Sequence, residues 1–224
     1  MKVELIDHMG SDLSVCNAAR VSFAKESSWV RCEESAGLDK ALAGKDTKLI
    51  AYLSKHNHWT PFGHCFASFR IKAPIFVARQ LGKHQVGLVW NEVSRRYVHD
   101  EPEFYRPLVW RKRADNVKQG SSEEAVQYPA RPQYDYEKAI NAAHTAYEQM
   151  LLEGVCPEQA RMILPQSMYT EWIWSGSLAA FARVCKLRLD PHTQFETRQV
   201  AEMIDQEMAK LFPVSWKALT GENK

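Results

Sequence analysis

From Arg79 to Tyr97 the chain gathers Arg79, Gln80, Lys83, His84 and Gln85 ahead of the largely apolar run Val86 to Trp90. Asn91, Glu92, Val93, Ser94, Arg95, Arg96 and Tyr97 follow. Guanidinium forks and ammonium groups match phosphate oxygens, so the cations suit an anionic ligand. Glu92 would be repelled by a phosphate and is better placed to accept from a neutral donor: a nucleobase, a ribose or a neighbouring arginine. Together these types describe a nucleotide-sized polar site. A solvated charged loop after a helix would have the same composition, which by itself does not separate the two readings.

Two further groups could do chemistry. His56, His58 and His64 lie within one turn-forming stretch, His56-Asn57-His58-Trp59-Thr60-Pro61-Phe62-Gly63-His64. Their spacing fits neither HExxH nor a zinc finger, and no cysteine pair completes a set, so no metal site is expected. Arg161 and Arg188 are lone arginines in apolar surroundings (Arg161-Met162-Ile163-Leu164; Leu187-Arg188-Leu189). Each either snorkels to the surface or needs a partner.

The elements that must position these residues follow from periodicity. Val3 to Ile6 reads as a strand, and Ser11 or Asp12 starts a helix carrying Leu13, Val15, Cys16 and Ala19. A polar loop is expected over about 25–45, then a helix over about 46–56. Phe66 to Lys72 alternates cleanly as the best strand. Pro74 opens a helix that delivers Arg79, Gln80 and Lys83 to the polar stretch. Extended loop is expected over 100–132, and a long helix over about 134–153 ends at Gly154. Beyond it, the reading places short helices from Pro157 and after Pro165, another from Ser177 to Leu189, and a last one over about 192–211 that halts at Pro213. Strands without regular βαβ alternation make the class α+β, with a small antiparallel sheet and several helices in a single domain over 1–224.

The whole chain bounds the alternatives. Its 224 residues, 45% hydrophobic and 25% charged, can bury a sizeable core. A net charge of +2 excludes a general nucleic-acid or membrane-surface binder, so any basic site is local. No apolar run is long enough to span a bilayer. The five cysteines, Cys16, Cys32, Cys65, Cys156 and Cys185, are odd in number and widely spaced. Reduced thiols and a cytoplasmic location are expected.

These residues resemble the flavin-dependent thymidylate synthases over nearly the whole length. The resemblance rests on Ala18 to Phe23, the His58 to His64 turn, Lys72 to Gln80, and above all Asn91-Glu92-Val93-Ser94-Arg95-Arg96-Tyr97. It continues through Ala160-Arg161, Leu164-Pro165, Tyr169-Thr170 and Leu187 to Gln194. The last block of the family signature RHRxxSxNExSxRY is complete. The first departs: Lys83-His84-Gln85 stands for Arg-His-Arg, and one extra residue separates it from Asn91. Gly63 replaces a frequent acidic residue, and Ser177 and Arg183 stand at asparagine positions.

The resemblance implies reductive methylation of dUMP to dTMP, with methylenetetrahydrofolate giving the carbon and NADPH reducing a bound FAD. It implies a homotetramer whose active sites draw on more than one subunit. By residue, it implies that Gln80, Lys83, Glu92, Val93, Ser94, Arg95 and Arg96 bind dUMP. Arg161 adds a cation from a neighbouring subunit, and Arg188 serves as the catalytic arginine on the uracil ring. Thr60, Lys83, His84, Gln85, Glu92, Ser177 and Arg183 fall at FAD positions, with His58 and His192 nearby. Two other readings compete: a dUMP-binding protein of the same fold without turnover, and a nucleic-acid binder using Arg95-Arg96 with Trp90 and Tyr97, which the near-neutral charge disfavours.

Overall fold

The fold is described from a computed structural model covering residues 1–31, 40–98, 100–115 and 120–221. Cys32 and the middle of the 25–45 loop lie outside the described residues.

Chain order is β1 (Lys2–Met9), α1 (Asp12–Arg20), β2 (Val30–Arg31), β3 (Lys40–Ala41), α2 (Gly44–Lys55), β4 (Phe66–Pro74), α3 (Ile75–Leu81) and β5 (Leu88–Glu92). Then follow α4 (Ala130–Leu152), α5 (Pro157–Ala160), β6 (Tyr169–Ser177), α6 (Leu178–Arg188), α7 (Phe195–Leu211) and α8 (Pro213–Thr220). The strand with the cleanest alternation, β4, lies inside a 4-stranded sheet of order β1-β4-β6-β5, antiparallel throughout. Its Ala67, Phe69, Ile71 and Ala73 face inward, as period-two patterning requires. β6 presents Thr170, Trp172, Trp174 and Gly176 to the same side. Helices α6 and α7 cover that face: Phe181 meets Phe69 and Trp174 edge-on at 5.2 and 5.4 Å, and Val184, Val200, Ile204 and Met208 are buried behind it. The opposite face keeps Val89 and Ile173 exposed. The architecture is α+β.

Several elements differ from the sequence expectation. No helix follows Pro165; Tyr169–Ser177 is the strand β6, because its inward residues recur every second position. Pro213 does not end the helical region. It opens α8, at the first helical position where a missing N–H costs nothing. The last long helix starts at Phe195 rather than His192. The 25–45 segment, expected as loop, contributes the two-stranded pair β2-β3, and the apolar run after Gln85 becomes edge strand β5.

Two buried carboxylates join distant segments. Asp46, fully buried, accepts from Arg20 and from the Ser27 hydroxyl at 2.8 Å, tying α2 to α1. Burial opposes its charge, but the bonds from Arg20 and Ser27 outweigh that and hold its pKa below the ordinary value. Asp12 accepts the backbone N–H groups of Val214 and Ser215 at 3.0 and 2.8 Å, capping α8 from the other end of the chain. Asp12→Ala leaves both donors without their acceptor and is expected to destabilise the fold by about 2 kcal/mol. A urea midpoint unchanged from wild type would refute this.

Candidate active site

Arg188 ends α6, where a cation complements the helix dipole. Its Nε–H donates to His84 Nε2 at 2.9 Å, and Nη2 donates to the Gln80 carbonyl at 3.3 Å. The snorkelling alternative therefore does not apply: this guanidinium is half-buried and fixed. Burial lowers its pKa without approaching neutrality. For His84, burial first, then the charges of Arg188 and Arg183, hold the imidazole below its ordinary value. Folding thus disfavours His84 protonation, and the stability it contributes is lost as pH falls below the unfolded value of about 6.5. Gln80 and Arg188 line a cavity of about 810 Å³ with Arg111, Asp190, His192 and Thr193. Gln80 Oε1 is buried without a hydrogen-bond partner, an acceptor suited to a ligand N–H.

Glu92, Val93 and Arg95 line a second cavity, of about 440 Å³, and Arg161 lies on the same wall. Glu92 is held by two donors: the Thr170 hydroxyl to Oε1 at 2.7 Å and the Trp90 indole to Oε2 at 3.1 Å. Trp90 is itself stacked on Trp172, with centroids 4.3 Å apart. Arg95 donates to the Asp100 carbonyl. Ser94 Oγ accepts from the Arg96 backbone and Nε. Arg96 then lies over the Tyr97 ring and 3.6 Å from Glu158, so it is Arg95 that joins Arg161 at this cavity.

The remaining site residues are dispersed. Thr60, Lys83 and Gln85 are exposed. Ser177 Oγ caps α6 by accepting from Ala180 N at 3.2 Å, and Arg183 donates to the Val86 carbonyl at 2.7 Å. That bond grips the turn leading into β5. Gly87 sits at φ +75, and a Cβ there would stand 3.3 Å from Ala180 Cβ. A Cβ on Gly176 would stand 2.6 Å from the Gly87 carbonyl, so β6 needs glycine where this turn crosses it. His56 and His58 pack around Tyr52, and among the described residues no His/Cys/Asp/Glu group could hold a metal ion. Buried Cys16 and Cys65 are pushed up to about 12 and about 11 by desolvation, far from nucleophilic thiolates.

Thr170, Trp90, Arg111 and Asp190 were not given roles by sequence. Thr170 and Trp90 are recognisable only once β5 and β6 are paired, since their partner is Glu92. Asp190, two residues after Arg188, holds His192 Nδ1 at 3.0 Å and was detectable as a short-range Asp–His pair.

The family model described as "Thymidylate synthase complementing protein" matches residues 4–214. The chain belongs to the flavin-dependent thymidylate synthase family. It is 38% identical over 221 residues to the flavin-dependent thymidylate synthase of Thermus thermophilus, covering 96% of this chain and 74% of that one. With the enzyme of that name from Thermosipho africanus it shares 36% over 200 residues, covering 89% and 82%. Among solved structures, the UMP/dUMP methylase PolB from Streptomyces cacaoi, bound with 5-Br dUMP, superposes with a TM-score of 0.81 at 32% identity, covering 98% and 94%.

Proposed function

We propose that this enzyme methylates dUMP reductively to dTMP, taking the carbon from methylenetetrahydrofolate and reducing equivalents that originate in NADPH and pass through bound FAD. The observation that carries this reading is the Arg188 arrangement: a fixed cation beside the buried, unpartnered Gln80 acceptor at a cavity wall. A uracil ring offers what the two lack, an N–H for Gln80 and carbonyl oxygens for the arginine. A preorganised cation there stabilises negative charge developing on the pyrimidine.

Arg95 and Arg161 are assigned to the dUMP phosphate, with Ser94 and Arg96 near it. Glu92, held by Thr170 and Trp90, accepts from the nucleoside, and Val93 packs beside it. For the flavin, Thr60, Lys83 and Gln85 offer an exposed hydroxyl, ammonium and amide, and His84 keeps a ring N–H. This donor set fits phosphates and a hydrogen-bonding ring edge. Bound FAD supplies hydride-level reducing power. Lys83 gives a point charge where the family has a fork, while Ser177 and Arg183 act through the backbone turn they support.

The two cavities share no lining residue within one chain. That, with Val89, Val93, Tyr97 and Ile173 exposed around β5 and β6, supports a homotetramer in which different copies complete each site.

Purified protein given dUMP, FAD, methylenetetrahydrofolate and NADPH should form dTMP, and product should vanish when FAD is stripped. Tight dUMP binding with no flavin bound would instead favour a nucleotide-binding protein. The engagement of Arg183 by the Val86 carbonyl is the observation on that side.

A further inference from the structure

The geometry points to His84 as a positioning residue that aims the Arg188 guanidinium by accepting its Nε–H, so that protonating the ring releases the arginine. This rests on the reading of Arg188 given above, and assigns to His84 a role separate from any flavin contact.

The hydrogen bond runs one way. Arg188 has donors only, so His84 Nε2 must carry a lone pair and the ring proton must sit on Nδ1. The ring is fixed from behind, because the His84 backbone N–H donates to Leu81 O at 3.0 Å and closes the end of α3. Arg188 is thereby clamped between a side chain and a carbonyl of one short segment, Gln80 to His84. Its Nη1, and the second hydrogen on Nη2, have no partner among the described residues. Those are the hydrogens left for a ligand.

The charges around the ring make the clamp sensitive to pH. Arg188 and Arg183 reach it from α6, and Lys83 neighbours it on its own segment. Arg111, Asp190 and His192 line the cavity beyond Arg188. Asp190 is already bonded to His192, so no carboxylate faces His84 to welcome a proton. A proton on Nε2 removes the only lone pair Arg188 uses there and sets two cations in contact.

The test uses FAD-loaded enzyme. In wild type, kcat should fall along a one-proton acid limb below about pH 6.5. In His84→Gln, whose amide oxygen accepts at any pH, that limb should disappear, with the loss at neutral pH within about tenfold. In His84→Ala, kcat should drop about tenfold to a hundredfold while KM for dUMP stays within about twofold. Flavin absorbance should show both variants fully loaded. Persistence of the acid limb in His84→Gln, or recovery of His84→Ala by excess FAD, would overturn the proposal.

A second measurement does not depend on turnover. Ring nitrogen NMR of wild type should show His84 neutral with its proton on Nδ1, and Arg188→Ala should move its titration up toward the ordinary imidazole value. A ring protonated on Nε2 would overturn the positioning role. If wild type makes no dTMP, the functional reading fails and this spectrum still decides the His84 contact.

Discussion

Replacing Arg188 by alanine is expected to lower kcat by roughly a hundredfold to a thousandfold, the cost of deleting one preorganised charge partner in an enclosed site. The fold should survive. Arg188 is the last residue of α6, its guanidinium packs no core, and its two hydrogen bonds go to His84 and the Gln80 carbonyl. Thermal unfolding within a few degrees of wild type, together with lost turnover, is the expected result. Arg188→Lys is the sharper variant. An ammonium carries the charge but cannot hold a planar fork against an imidazole nitrogen and a carbonyl at once. It should therefore recover little of the loss. Full activity in the alanine variant, at saturating dUMP and FAD, would remove Arg188 from the chemistry.

How far this arrangement was legible in the sequence depends on the range over which each signal acts. β4 could be read from Phe66 to Lys72 because its alternation is local. β6 could not be read the same way. Its Trp172-Ile173-Trp174 core is an unbroken apolar run, since both an inward tryptophan pair and an outward isoleucine fall in it, and short apolar runs do not discriminate strand from helix. Arg188 and Arg161 looked alike, single arginines among apolar neighbours. What separates them is long-range: Arg188 meets His84 over a hundred residues earlier in the chain, whereas Arg161 is exposed on a cavity wall. The Arg20–Asp46 pair likewise has no local trace. The extra residue before Asn91 was countable but not placeable. Its accommodation depends on Gly87 at positive φ and on glycine at 176, one on each of two strands that only pairing brings together.

The placement of Arg161 bears most directly on assembly. Within one chain Arg161 shares a cavity with Glu92, Val93 and Arg95, while Arg188 shares another with Gln80 and His192. If one dUMP must touch both groups, and they come from different copies, then each inactive variant keeps an intact half. Arg161→Ala and Arg188→Ala should each be nearly inactive alone. Mixed in equal amounts and allowed to exchange subunits, they should regain about a quarter of wild-type turnover, because random pairing joins two intact halves at about one site in four. The double variant Arg161→Ala/Arg188→Ala, mixed with wild type, provides the opposite control: it ruins both halves it contributes to and should depress activity below simple dilution. A mixture of the single variants that stays inactive after verified subunit exchange would mean that one chain closes around its own nucleotide. The ends of α3, where Ile75 borders one cavity and Gln80 the other, would then have to be bridged within the protomer.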